Sequence, residues 1–317
     1  MYESFYGFSE KPFSLLPDPS FLYMGKKHSL AYAMLQYGLT NRAGFTVITG
    51  RIGCGKTTLL RHLLDELDDD VTVGLISNTQ QNAGQLLQWV LMAFGLDYRG
   101  KSKIQLYQAF HEYLIDEYAS NRRTVLIIDE AQNLSAQVLE EFRMLSNINA
   151  DKDQVLQMIL VGQPQLRELL QRPELEQFAQ RIAADYHLTE LNREETAEYI
   201  HFRTRTAGVE RPMFDQAATD LIHRYARGVP RLINTLCDTA LVYGFAEQAQ
   251  QVSAEIVQMV ARDKAETGLL RLDFSHDESA LARVPKSAAE NEQPLRDNLI
   301  ELDKDQARQL FKKLSSD

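Results

Sequence analysis

Cysteine is scarce in this 317-residue chain: Cys54 and Cys237 lie far apart and without metal-type spacing. That excludes a disulfide framework and a cysteine-built zinc module, and it favours a reducing compartment. His28, His62 and His187 likewise form no ligand spacing, so no metal is expected beyond one that travels with a bound nucleotide. Long apolar runs are missing too. No window approaches the roughly twenty residues that a membrane helix needs, and Met1-Tyr2-Glu3-Ser4 lacks the basic and apolar regions of a signal peptide. The expectation is a cytoplasmic chain without a direct membrane span, possessing membrane access only through a partner. Positive charge is not in excess either. The net charge of −10 argues against a protein that coats nucleic acid, although it leaves room for a local basic patch. No internal repeat is visible. What is present is ordinary globular material, 44% apolar and 25% charged, enough for one large or two modest domains.

The first 25 residues are crowded with aromatics and prolines (Phe5, Tyr6, Phe8, Pro12, Phe13, Pro17, Pro19, Phe21, Tyr23) and read as an irregular strap packed on a core. A helix is predicted over 26–42. Apolar runs at 45–49, 71–76, 125–128 and 156–161 read as strands, and Tyr186-His187-Leu188 is placed as a short fifth. Helical patterns at 82–95, 103–120 and 135–147 fall between them. Strands apolar on both faces and alternating with helices predict a parallel sheet covered by helices, an α/β domain over 26–190. Strand signals then stop. Helical patterns at 193–206, 214–226, 230–247 and 253–265 predict a small all-α lid over 191–267. The remainder, 268–317, reads as a flexible tail, with a linker at 275–295 and a weak terminal helix carrying Leu299, Leu302, Leu310, Phe311 and Leu314.

Gly50-Arg51-Ile52-Gly53-Cys54-Gly55-Lys56-Thr57 carries the chemistry. It follows the strand Phe45–Thr49 and opens the Leu-rich helix that begins Thr58-Leu59-Leu60. This is the G-x-x-x-x-G-K-[ST] spacing of a P-loop in its strand–loop–helix setting. Glycines let backbone N–H groups close on phosphate oxygens, and the helix N-terminus adds partial positive charge. Lys56 is expected on the β/γ-phosphates, Thr57 on Mg²⁺, and Thr58 beside them. Val125-Leu126-Ile127-Ile128-Asp129-Glu130 is an apolar strand ending in carboxylates, with Asp129 placed to orient Mg²⁺ and Glu130 to polarise an attacking water. Gln163, closing Leu160-Val161-Gly162-Gln163-Pro164, falls between these motifs, where an amide can hold that water or contact the γ-phosphate. The expected ligands are ATP and Mg²⁺.

Gln180-Arg181-Ile182 before the fifth strand and Gly228-Val229-Pro230-Arg231 in the lid extend the pattern, and the whole resembles the AAA+ ATPases. That resemblance implies that Arg181 reaches the γ-phosphate of a neighbouring subunit, with Arg172 its competitor, while Arg231 contacts nucleotide within its own subunit. It also implies self-association into an ATP-dependent ring or partial ring. A guanidinium suits either role because it matches phosphoryl charge with two donors at once. Phe5-Tyr6-Gly7-Phe8, Pro12-Phe13, Pro17-Asp18-Pro19, Asp129-Glu130-Ala131-Gln132-Asn133-Leu134 and Leu160–Pro164 narrow it further. Over about 1–265 the chain is similar to the component-A (ExeA-type) ATPases of the general secretion pathway, and to MSHA-pilus and exosortase-associated ATPases. Members of the secretion type continue into a membrane span and a peptidoglycan-binding module, which this sequence does not contain. The resemblance therefore implies an ATPase that powers or regulates assembly of a bacterial envelope system through a membrane-envelope partner.

Two other functions fit parts of the pattern. A DNA-associated AAA+ regulator of the transposition type shares this core, but the charge is unfavourable and no helix-turn-helix is evident. A slow nucleotide switch or adaptor would use the lid or tail to report to a partner. Among single residues, Asn78 is a strand-end cap or a water-positioning group. Tyr23 is expected in packing rather than as an adenine wall, Cys54 as an inert thiol, and Cys237 in the core.

Overall fold

Apolar runs without polar alternation become the interior of a sheet. The computed structural model describes residues 1–77, 85–150, 153–267 and 272–273. Its strands are β1 (Phe45–Gly50), β2 (Val71–Ile76), β3 (Arg123–Ile128), the short β4 (Asn149–Ala150) and β5 (Asp153–Gln154), β6 (Leu156–Gly162) and β7 (Ile182–Leu188). Five of them form one parallel sheet in the order β2-β3-β6-β1-β7, while β4 and β5 make a separate antiparallel hairpin that no sequence pattern announces. The central strands β1 and β6 are buried along their whole length, whereas the edge strands β2 and β7 are only partly buried. That gradient explains one correction. The fifth strand spans Ile182–Leu188, not 186–188 alone, because an edge strand with exposed Ala183 and Asp185 carries a diluted apolar signal.

Both faces of the sheet are covered, and neighbouring residues of one strand serve opposite cores, as the period of two requires. Leu126 and Ile128 point into a cluster with α4 (Leu86–Ala93), α5 (Lys103–Ala119), α6 (Ala136–Leu145) and α7 (Pro164–Leu170). Val125 and Ile127 point the other way, against α2 (Lys26–Thr40) and α3 (Lys56–Asp65). The start of α5 is fixed by a reciprocal capping box between Ser102 and Gln105. The helix expected at 82–95 is described from Leu86; its earlier part and Asn78 lie outside the described residues.

A third cluster belongs to α9 (Arg193–Thr206), α10 (Gln216–Ala226), α11 (Pro230–Ala246) and α12 (Ala254–Thr267), the helices expected for the lid. Asn192 and Glu195 cap the first of these reciprocally. Into this cluster the N-terminal strap inserts Tyr2, Tyr6, Phe8, Phe13 and Phe21, each no more than 6% exposed. The strap is not wholly irregular as expected. It holds a short helix, α1 (Glu3–Tyr6), ended by Gly7 at φ +87°, and a single 3-10 turn at Pro19–Phe21 capped by Asp18. The short α8 (Glu176–Ala179) completes the helices. Residues Met1–His276 form one compact unit. Apart from Leu272 and Asp273, the segment from 268 onward, with its expected linker and terminal helix, lies outside the described residues.

Candidate nucleotide site

Parallel register brings three strand ends to one sheet edge. Thr49 of β1 pairs with Gly162 of β6, and Ile128 of β3 pairs with Leu160. Because β6 lies between β1 and β3, the loops leaving all three meet there, which is where α/β sheets build ligand sites. The P-loop turns from β1 through Gly55 at φ +100°, a left-handed conformation suited to glycine, directly into α3. Lys56 is 7% exposed, unusual for a lysine, and its ammonium donates to the carbonyls of Gly50 at 2.8 Å and Arg51 at 3.1 Å. A Cβ on Gly53 would fall 2.6 Å from Cβ of Arg231, so only glycine lets the loop lie against the lid helix. At the loop's rim, Ile52 is exposed and Arg51 pairs with Glu190 at 3.0 Å. The Cys54 thiol is buried, and burial pushes it above its ordinary range, as befits an inert thiol.

Asp129 and Glu130 follow β3. The Thr57 hydroxyl lies 3.4 Å from Asp129 Oδ2, and Oδ1 of the same carboxylate accepts the Glu130 backbone N–H at 2.9 Å. Burial, reinforced by the negative charge of Glu130, raises the Asp129 carboxyl above its usual range, while Lys56 and Thr57 oppose the shift. A cation at that point would oppose the shift as Lys56 does. A hydroxyl beside a carboxylate suits magnesium, which takes few protein oxygens and keeps waters and phosphates as its other ligands. Glu130 sits at φ +53°, a backbone conformation uncommon for such a residue. Its Oε2 accepts from Gln163 Nε2 at 3.2 Å and from Gln132 Nε2 at 2.6 Å. Gln163 therefore stands beside the carboxylates, while Gln132 is a neighbour that the sequence reading does not single out.

The pocket over the P-loop is enclosed by pieces distant in sequence. Lys56, Thr57, Thr58 and Glu130 form its floor. The strap contributes a wall from Ser14 to Tyr23, and the lid contributes Tyr199, Arg203, Pro230, Arg231 and Asn234. Arg231 also donates its backbone N–H to the Gly53 carbonyl at 3.1 Å, tying α11 to the loop. Tyr23 is half-buried on Tyr199 and Phe202 and lines the same pocket, so packing and wall are one position rather than alternatives. Arg203 is 6% exposed. It donates to the carbonyls of Pro12 at 2.6 Å and Ser14 at 3.1 Å and lies over the Phe21 ring at 4.6 Å. It staples strap to lid. His28, 5% exposed, also borders the pocket, with Nε2 at 3.0 Å from the Cys54 carbonyl.

Two arginines are not brought to this pocket. Ile182, next to Arg181, pairs with Phe45 at the opposite end of β1. The Arg181 guanidinium donates to Ser146 Oγ at 2.8 Å, and the exposed Arg172 faces Glu174 at 3.9 Å. Neither serves the nucleotide pocket of its own chain. Strap, His28, Tyr199, Arg203 and Asn234 are the pocket residues that sequence patterns do not reveal. Each reads as core or surface until the fold joins positions as distant in sequence as Ser14 and Asn234.

The parallel sheet, the P-loop between β1 and α3, the strand-end acids and the helical lid give the chain the P-loop fold of the AAA class. Residues 39–170 match the family described as AAA domain. Over 253 residues the chain is 40% identical to general secretion pathway protein A of Aeromonas hydrophila, a match covering 80% of this chain and 46% of that protein. The chain is related to that protein over most of its own length and spans about half the length of that relative. Solved structures with the same fold include the ORC2 protein of Aeropyrum pernix, at 20% identity, TM-score 0.58 and coverage of 80% and 71% of the two chains. Cdc6p of Pyrobaculum aerophilum is another, at 17% identity, TM-score 0.60 and coverage of 80% and 70%. Among the described residues no helix is long and apolar enough to cross a membrane.

Proposed function

We propose that this chain binds and hydrolyses ATP with Mg²⁺, and that the cycle drives or regulates assembly of a bacterial envelope system through a membrane-envelope partner that recruits it to the inner membrane. The observation that carries the chemistry is the convergence of Lys56, Thr57, Asp129, Glu130 and Gln163 at one sheet edge, beneath the lid residue Arg231. The envelope role rests on the relationship to general secretion pathway protein A. In this reading the backbone of Gly50–Gly55 cradles the phosphates, Lys56 leaves its carbonyl acceptors for them, and Thr58 and Arg231 contact the nucleotide. Thr57 and Asp129 hold Mg²⁺, which when bound neutralises charge on the transferring phosphoryl group. Glu130 draws the proton from the attacking water, and Gln163 orients that water or contacts the terminal phosphate. The arginine at Arg181 acts on the site of a neighbouring subunit in an ATP-dependent oligomer.

Two substitutions test the chemistry. Lys56→Ala should abolish tight nucleotide binding in a calorimetric titration. Glu130→Gln should retain binding while turnover falls by on the order of 10²–10⁴, the usual worth of a positioned general base. Undiminished phosphate release by Glu130→Gln would refute the assignment of Glu130.

A further inference from the structure

Gln132 joins the two strand-end motifs into one object. Its Oε1 accepts the backbone N–H of Gln163 at 2.8 Å, and its Nε2 donates to Glu130 Oε2 at 2.6 Å. The chemistry fixes the orientation of the amide. A backbone N–H can only donate, so the oxygen must face it, and the nitrogen is then left for the carboxylate. Gln163 donates its own side-chain amide to the same Glu130 oxygen at 3.2 Å, which closes a ring of three residues across β3 and β6.

The backbone is shaped to permit this ring. A Cβ on Gly162 would sit 2.9 Å from Gln132 Oε1 and the same distance from Leu166, so a side chain there would push the amide off the strand end. Glu130 holds its left-handed φ of +53° at the other corner. Strain of that kind persists only where surrounding contacts over-determine it.

We infer that Gln132 is a positioning residue for ATP hydrolysis: it aims the Glu130 carboxylate and ties that aim to the strand end carrying Gln163. The inference rests on the reading of Glu130 as the group that polarises water. In the step concerned, the water oxygen bonds to the terminal phosphorus, its proton passes to Glu130, and the bond from phosphorus to the bridging oxygen breaks with its electron pair leaving on ADP. Gln132 is not among the residues lining the pocket, whereas Glu130 is. Gln132 keeps the accepting oxygen in line. Asp129, next to Glu130 in the chain, and Lys56 are charged groups of the same site.

The test is steady-state ATP hydrolysis by the full chain with Mg²⁺, for Gln132→Glu and Gln132→Ala beside Glu130→Gln. Gln132→Glu keeps the shape but sets an acceptor against the carboxylate, so the contact that aims Glu130 is lost. Its kcat should fall on the order of ten- to a hundredfold, and its KM should stay within about twofold because uniform binding is untouched. Gln132→Ala should show the same division between kcat and KM. Should kcat stay at the wild-type value in both variants, or should the loss fall on KM, Gln132 is structural only and the inference is overturned. Failure of Glu130→Gln to slow hydrolysis would instead overturn the underlying reading, which keeps the two failures distinct.

Discussion

His28 is an imidazole kept neutral at the back of the P-loop. A carbonyl can only accept, so the contact with Cys54 makes Nε2 the protonated nitrogen. Burial holds its pKa below the ordinary histidine range; Glu195 acts against that shift and Lys27 with it. An imidazole with a depressed folded pKa binds its proton more readily in the unfolded chain, so stability falls as pH drops below the unfolded value of about 6.5. Thermal melts between pH 8 and 5 should therefore show a declining Tm on the acid side, and His28→Gln should flatten part of that decline. His223, depressed for the same reason, leaves a residual slope. A His28→Gln curve parallel to the wild type would remove His28 from the account.

At the scale of elements, the staple between strap and lid carries a definite expectation. Arg203 supplies charged hydrogen bonds to two strap carbonyls, each worth about 1.5–3 kcal/mol. Arg203→Met keeps bulk but drops both bonds, so the wall from Ser14 to Tyr23 loses its placement over the pocket. Nucleotide Kd, read by titration with a fluorescent ATP analogue, should rise on the order of tenfold, corresponding to roughly 1.4 kcal/mol. An unchanged Kd would mean that the strap walls the pocket without contributing to binding. This staple also marks the limit of what the sequence discloses. Gly50–Thr57 and Asp129–Glu130 are legible because each is a contiguous motif at the end of an apolar run, and the parallel sheet is legible because β1, β3 and β6 are buried on both faces. Arg203 is illegible because its partners, Pro12 and Ser14, lie nearly two hundred residues away, where one arginine among many in a helix carries no signal. Gln132 escapes for a subtler reason. It belongs to a recognisable motif, but its task depends on Gly162 leaving space on another strand. Edge strand β7 is legible only in its last residues, where Tyr186 and Leu188 turn inward.

At the scale of the whole molecule, the proposed action of Arg181 on a neighbouring subunit carries its own expectation. Arg181 is anchored on Ser146 at the end of the sheet remote from its own pocket, a placement that suits action on another subunit. ATP hydrolysis per subunit should accordingly rise with protein concentration, and Arg181→Ala should flatten the rise while leaving nucleotide affinity intact. An arginine supplied between subunits can be worth 10³–10⁵ in rate, so loss of about a thousandfold at saturating concentration is the expected scale. A normal rate in Arg181→Ala with the loss appearing in Arg172→Ala would transfer the role to the neighbouring arginine.

The strap has a practical meaning for anyone dividing this protein into pieces. A fragment begun at residue 26 would contain every phosphate-binding motif and look complete by sequence, yet Tyr2, Tyr6, Phe8, Phe13 and Phe21 form part of the interior of a helical unit that starts at residue 193. Such a fragment would expose apolar surface on its lid and lose one side of its pocket together. Strap and lid are thus a single piece of architecture, and a fragment meant to report on its chemistry has to keep the strap from Tyr2 onward.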